Sequence, residues 1–261
     1  MRTRHNGSNQ SDTRDIFPKN GSESFCPWEL EVSLNEVVRY AGGSRYQMDS
    51  KTETLARSIL SQAISLCHPA FGYARHKIIN TVKNKGFLIE NNIFVPSPPD
   101  IPSDSQFLVS VIGTIGQNLE EIVHSLNTKS MYLEALFLDA SGVALIESVA
   151  QHARERISDL AGRAGLHCGC QWAPGYEKTL LEDQKILFDI TDASAIGVQL
   201  MQSGVMHPFK SLSFWIPLVL HPVSPVNRNK CRHCSLKCCI YRITHSADQK
   251  VSKTGADQIP H

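Results

Sequence analysis

The residues best equipped for chemistry stand near the end of the chain, in Cys231-Arg-His-Cys234-Ser-Leu-Lys-Cys238-Cys239. A Cys-x-x-Cys pair lets two thiolates reach one ion from a tight turn. Cys239, five residues further on, is placed to close back on the same ion, with Cys238 as its substitute or as a fourth ligand. Thiolates suit zinc or an iron–sulfur cluster. His233, Cys168 and Cys170 are further candidates for the fourth position. The plainer alternatives are a zinc knot that staples the C-terminus, or free regulatory thiols. A secreted disulfide framework would spread its pairs along the chain. Here four of eight cysteines fall within nine residues. In a reducing compartment that clustering means metal more often than disulfide.

A second group begins at Cys168-Gly-Cys170, which leads straight into Gln171-Trp-Ala173-Pro174-Gly175-Tyr176. A glycine lets backbone groups approach a ligand closely, and a tyrosine offers a ring face and a hydroxyl. Pro-Gly is also a common turn pair, so a simple strand-exit turn is the plain reading of the same residues. Asp139 and Glu147 share a helical stretch but stand two turns, about 12 Å, apart. Asp139 is therefore expected to be a packing or capping group. His68, His76, His124 and His152 show no ligand spacing and read as surface residues. No nucleophile elbow, phosphate-binding loop or dinucleotide fingerprint is present.

The elements that must position these groups alternate between the two periodicities. Ser33 and Glu36 have capping-box spacing ahead of Leu34, Val37, Val38 and Ala41, which predicts a helix ended by Gly42-Gly43. Ser50 and Glu53 predict a second helix, stopping before Pro69. Short strands are expected over 73–95, with a turn at Lys83-Asn-Lys-Gly86, then a stiff proline-rich linker over 96–102. Phe107–Ile112 reads as a buried strand. Helices follow over about 117–126 and 129–161. Gly142, inside the long one, implies close packing of a neighbour. Leu166–Trp172 reads as a strand, Thr179 with Glu182 as the cap of another helix, and Ile196–Leu200 and Ser211–Leu220 as strands, the last near an edge because of Pro217. The sum is an α+β domain with a central, mostly antiparallel sheet flanked by helices, over about 27–226. The Cys-rich tail spans 227–243. Polar segments 1–26 and 244–261 have too little apolar surface to offset ordering entropy and read as disordered.

Three segments, in order, match a family pattern. They are Glu36-Val-Val-Arg-Tyr-Ala-Gly42; Leu138-Asp-Ala-Ser-Gly142 with Glu147; and Ala173–Tyr176 followed by Leu181-Glu-Asp-Gln184, Ile196-Gly-Val198, Ser203, Met206, Pro208, Lys210-Ser211 and Ser213. Over about residues 33–215 the chain resembles the activation domain of cobalamin-dependent methionine synthase, in its free-standing form. The resemblance implies a C-shaped α+β unit that binds S-adenosylmethionine in a shallow groove. It also implies a corrinoid protein as partner, whose oxidised cobalamin is reduced by one electron and remethylated. Cobalamin would reach this chain only through that partner. The family's ligand motif, Arg-x-x-x-Gly-Tyr, reads Gln171-Trp-Ala-Pro-Gly175-Tyr176 here, so the S-adenosylmethionine-binding residues implied are Gln171, Ala173, Pro174, Gly175 and Tyr176. Arginine would give a charged, two-pronged bond to the ligand carboxylate; Gln171 offers a neutral amide. Two alternatives stay open on the same scaffold: a metal or redox protein whose tail delivers the electron, and a diverged, non-catalytic binding protein.

Composition narrows the partners. The chain has 261 residues, 41% of them hydrophobic and 20% charged, with a formal net charge of +1. A duplex-binding protein usually carries a strong basic surplus, so nucleic acid is not expected. No apolar run reaches the roughly 18 residues of a membrane span, so no membrane partner is expected. Met1–Ser8 has no apolar stretch behind it, unlike a secretory signal, so a cytoplasmic location is expected.

Overall fold

The computed structural model describes residues 17–99, 101–102, 104–175, 179–223 and 239–241. Its strands are β1 (Asn20–Ser24), β2 (Ala70–Val82), β3 (Gly86–Ile89), β4 (Ile93–Pro96), β5 (Ser105–Thr114), β6 (His167–Cys168), β7 (Gln199–Leu200), β8 (Met206–His207) and β9 (Ser211–Val219). Its helices are α1 (Leu34–Gly42), α2 (Ser50–Leu66), α3 (Asn118–Thr128), α4 (Tyr132–Arg163) and α5 (Gln184–Ile190). The main sheet runs β4-β3-β2-β5-β9-β6, with β1 also on β2, and every pairing is antiparallel. Strands β7 and β8 form a separate hairpin.

Alternation along the central strands builds two cores. Val109 and Val111 of β5 face the same side as Phe71, Tyr73, Phe214 and Ile216, and α1, α2 and α4 pack there. Leu108 and Ile112 face the opposite side, with Trp215, Trp172, Phe87 and Leu187 of α5. Burial on both faces explains why β5 reads as a continuous apolar run rather than an alternating one. Gly142 of α4 does mark a close approach: a Cβ there would lie 3.0 Å from Leu119 Cδ2 and 3.1 Å from Lys210 Cε.

Several boundaries differ from the sequence expectation. Residues 17–26, expected to be disordered, belong to the described fold: Phe17 is buried, and β1 pairs with β2 over five residues. β1 has no apolar residue, so its main-chain pairing and the Arg156–Glu23 ion pair of 2.6 Å hold it without a hydrophobic signal. The cap of α2 is Asp49, whose Oδ1 accepts the Thr52 N–H at 2.8 Å, rather than Ser50. Residues 196–200 contribute only the two-residue strand β7 after a 3-10 turn. No helix among the described residues is long and apolar enough to cross a membrane.

His76 is a further correction. It is not a surface residue but is buried on β2, with Nε2 3.1 Å from Ser110 Oγ, which also accepts from Thr191 at 2.6 Å. Burial pushes its imidazole down to about 4 from the ordinary 6.5; Lys19 and Arg75 act in the same direction and Glu90 against it. Between those values the unfolded chain binds the proton and the folded one does not. Stability is therefore expected to fall as pH drops from about 6.5 toward 4, by up to about 3 kcal/mol. Urea unfolding at pH 7 and pH 5 checks this, and His76→Gln should flatten that part of the profile.

Candidate functional site

The segment that bears the sequence-predicted ligand residues runs along the free edge of β9. β6 pairs His167 with Val219 and Cys168 with Leu218, and Gly169 N–H then donates to Pro217 O at 2.8 Å. The ladder resumes at Trp172, which exchanges both backbone bonds with Trp215, at 3.1 and 2.8 Å. Adjacent side chains take opposite faces of this strand-like run. Trp172 turns toward the α5 side, where its ring meets Phe87 and Trp215 and its Nε1–H donates to Pro96 O at 3.2 Å. Gln171 turns toward α4.

There Gln171 Oε1 accepts from Arg154 Nη1 at 3.0 Å, and Arg154 Nη2 donates to Gly169 O at 3.1 Å. A guanidinium from α4 thus stands beside the amide that occupies the motif's first position. Its positive charge also favours the thiolate of nearby Cys168, but burial dominates and raises that thiol's pKa. Burial therefore holds Cys168 as a thiol in this environment.

Past Trp172 the chain leaves the sheet. Pro174 is buried and Gly175 is exposed at φ +78°, a conformation that favours glycine. Gly175 N–H donates to Leu180 O at 3.1 Å, and Thr179 Oγ1–H donates to Ala173 O at 2.8 Å, closing a short loop on itself. Thr179 is thus a loop clamp and not the expected helix cap. Asp183 Oδ2 instead accepts the Leu180 N–H at 2.9 Å, and α5 begins at Gln184. Leu180 and Leu181 are left exposed at the rim, Leu181 against Gly175. Ala173 packs against the helical core. Tyr176 lies outside the described residues.

A second constellation joins two of the family-like segments. Lys210 Nζ reaches past Gly142 to Asp139 Oδ1 at 2.7 Å, and its backbone N–H donates to Glu120 Oε1 at 2.8 Å. Thr114 Oγ1 donates to Lys210 O and accepts from Ser211. Asp139 is therefore an exposed, ion-paired carboxylate within α4 rather than the packing or capping group expected. It also lines a groove of about 410 Å³ between α3 and α4, with Val123, Asn127, Tyr132, Ala135 and Leu136. A second groove of about 310 Å³ lies on α2, lined by Leu34, Arg57, Leu60 and Ile64 among others. Neither contains Gln171–Gly175.

Of the tail cysteines, Cys231, Cys234 and Cys238 lie outside the described residues, as does His233. Cys239 is described, with Ile240 and Tyr241 beside the C-terminal end of α1. Ser44 N–H donates to Ile240 O at 2.9 Å and Arg39 Nη1 to Tyr241 O at 3.0 Å. The Tyr241 ring stands 5.9 Å from that of Tyr40. Ile240 is still 63% exposed and Tyr241 40%, so little apolar surface is covered. Each bond contributes about 1 kcal/mol net, against about 1–2 kcal/mol for ordering each residue's backbone. The dock is close to balance on its own. Among the described residues no three metal-ligating side chains converge.

No protein-family model matches the chain, and no curated protein matches it in sequence. Among solved structures, one described as the crystal structure of the MetH reactivation domain bound to AdoHcy is similar. The TM-score is 0.54, with 12% identity over 80% of this chain and 80% of that one. The chain shares that fold.

Proposed function

We propose that the protein is an accessory module that binds S-adenosylmethionine along Gln171–Tyr176 and docks on a corrinoid protein to support reductive remethylation of its cobalamin. The observation that carries this reading is the Arg154 guanidinium seated on Gln171, next to the Gly175 loop. The cation missing from the motif is returned by a neighbouring helix, and a solved structure of like fold is described as bound to AdoHcy. The ligand's carboxylate would take the remaining guanidinium donors, and the Ala173–Gly175 backbone would lie against its adenosyl part. The role is one of proximity and orientation: the chain presents the methyl donor, while a separate donor supplies the electron. Calorimetric titration with S-adenosylmethionine and S-adenosylhomocysteine is expected to show saturable binding. A flat titration at millimolar ligand would remove the methyl-donor role.

We also infer that the tail binds a soft metal through Cys231, Cys234 and Cys239, with Cys238 as the alternative or additional thiol. The Cys-x-x-Cys spacing supports this, and the two residues that follow Cys239 hydrogen-bond to Ser44 and Arg39. Anaerobic purification distinguishes the metals: brown protein with iron and sulfide for a cluster, colourless protein with zinc for a structural site.

A further inference from the structure

We propose that Pro217 is a positioning residue for the Arg154 guanidinium: having no N–H, it leaves the Gly169 carbonyl to α4 instead of to the sheet. The effect on binding rests on the reading of Arg154 as the seat of a ligand carboxylate; the effect on Arg154 itself does not. Three observations carry it. First, Trp215 and Pro217 both turn their backbone groups toward the β6 edge. Trp215 exchanges two bonds with Trp172, and Pro217 O accepts from Gly169 N–H at 2.8 Å. In such an antiparallel pair a second bond would run from the N–H of residue 217 back to Gly169 O. Proline has no donor to make it. Gly169 is buried, so its carbonyl needs another partner, and Arg154 Nη2 supplies one at 3.1 Å. The proline costs nothing on its other side, because its pairing with Leu108 of β5 is the kind that exchanges no backbone bonds.

Second, the sheet edge carries a bulge at this point. Between the Gly169–Pro217 and Trp172–Trp215 pairs, Cys170 and Gln171 stand opposite Ile216 alone. An extra residue of this kind re-aims the side chains beside it, and here it brings Gln171 to the α4 side. The guanidinium is therefore gripped at two points of one bulge, Gly169 O and Gln171 Oε1. Third, the strand and the proline are closely fitted: a Cβ at Gly169 would stand 2.8 Å from Pro217 Cγ. A long, rotamer-rich side chain held in this way has less freedom to lose when an anion arrives. An N–H at position 217 would compete for Gly169 O. A carbonyl has two lone pairs, so the Arg154 bond would be shared and weakened rather than abolished.

Pro217→Ala introduces that N–H. In the full chain, ¹⁵N spectra of the Arg154 guanidinium would be recorded without ligand, assigned by their loss in Arg154→Ala, and S-adenosylmethionine titrated by calorimetry. A guanidinium held at both ends gives separate Nη1 and Nη2 signals, and a loosened one gives an averaged signal. The unmodified chain is expected to show separate signals. In Pro217→Ala they should merge, and affinity should fall about fivefold, part of the loss from removing the cation. In the Arg154→Ala background the same change should leave affinity where it was, because the cycle then has no cation to displace. Gly169→Ala, which drives a Cβ into the Pro217 ring, moves the same carbonyl by a second route and carries the test if Pro217→Ala does not fold. Separate signals and unchanged affinity in the variants, or equal losses with and without Arg154, would overturn the positioning role and leave the ligand site standing. No binding of S-adenosylmethionine by the unmodified chain, with signals that still merge in Pro217→Ala, would overturn the ligand reading alone.

Discussion

Replacing Trp215 by alanine is expected to lower the free energy of unfolding by about 3–5 kcal/mol, the range for removing a large buried aromatic side chain. Trp215 is fully buried in the middle of β9. Its ring lies 5.7 Å from that of Trp172, and its backbone makes both bonds that hold Trp172 to the sheet. Losing the side chain opens a cavity in the α5-side core and loosens the strand that carries Gln171. Phenylalanine should behave differently. The Trp215 Nε1–H is buried with no hydrogen-bond partner among the described residues. Removing such a donor recovers about 1–3 kcal/mol, which largely cancels the smaller ring's lost contacts. Trp215→Phe is thus expected within about 1.5 kcal/mol of the parent, and Trp215→Ala far below it, by urea unfolding at pH 7. Equal losses for the two variants would show that the indole nitrogen is partnered in solution.

The parts of the fold legible in the sequence are those whose signal is local. The Ser33–Glu36 box caps α1 as its spacing requires, with Glu36 Oε2 accepting the Ser33 N–H at 3.0 Å. The continuous apolar run of β5 is the central strand. The small residue Gly142 does receive a neighbour, and that neighbour, Lys210, comes from another of the family-like segments. What stayed hidden is set by partners distant along the chain. β1 is polar throughout and exists because β2 offers it an edge. His76 carries no mark of burial beyond its place between alternating strand residues, and its partner Ser110, whose hydroxyl also accepts from Thr191, comes from another strand. Thr179 looks like a cap by spacing, yet the Ala173 carbonyl claims its hydroxyl. The candidate site shows the same division. Gly175 in its turn follows from the Pro-Gly pair. Arg154, seventeen residues from Gln171 and on a different element, could be found only after the sheet edge and α4 were brought together.

That pairing supports the second large effect. Arg154→Ala is expected to weaken S-adenosylmethionine binding about 10- to 100-fold, because a charge-assisted bond is worth about 1.5–3 kcal/mol. Arg154→Lys keeps the charge but not the planar fork, so its loss should be intermediate. The exchange Arg154→Gln/Gln171→Arg puts the cation at the motif's own position and is expected to recover most of the affinity. Gln171→Arg alone would set two guanidiniums side by side, and like-charge repulsion should make it worse than either the parent or the exchange. A purely structural role for Arg154 predicts another pattern. Its bonds to Gln171 and to Gly169 O would then matter for folding only, so the melting temperature would fall while the affinity of the folded fraction stayed constant. Calorimetry of each variant below its melting transition separates the two. The ordering parent, exchange, lysine, alanine in affinity is what a ligand carboxylate on this guanidinium requires, and no stabilising contact alone produces it.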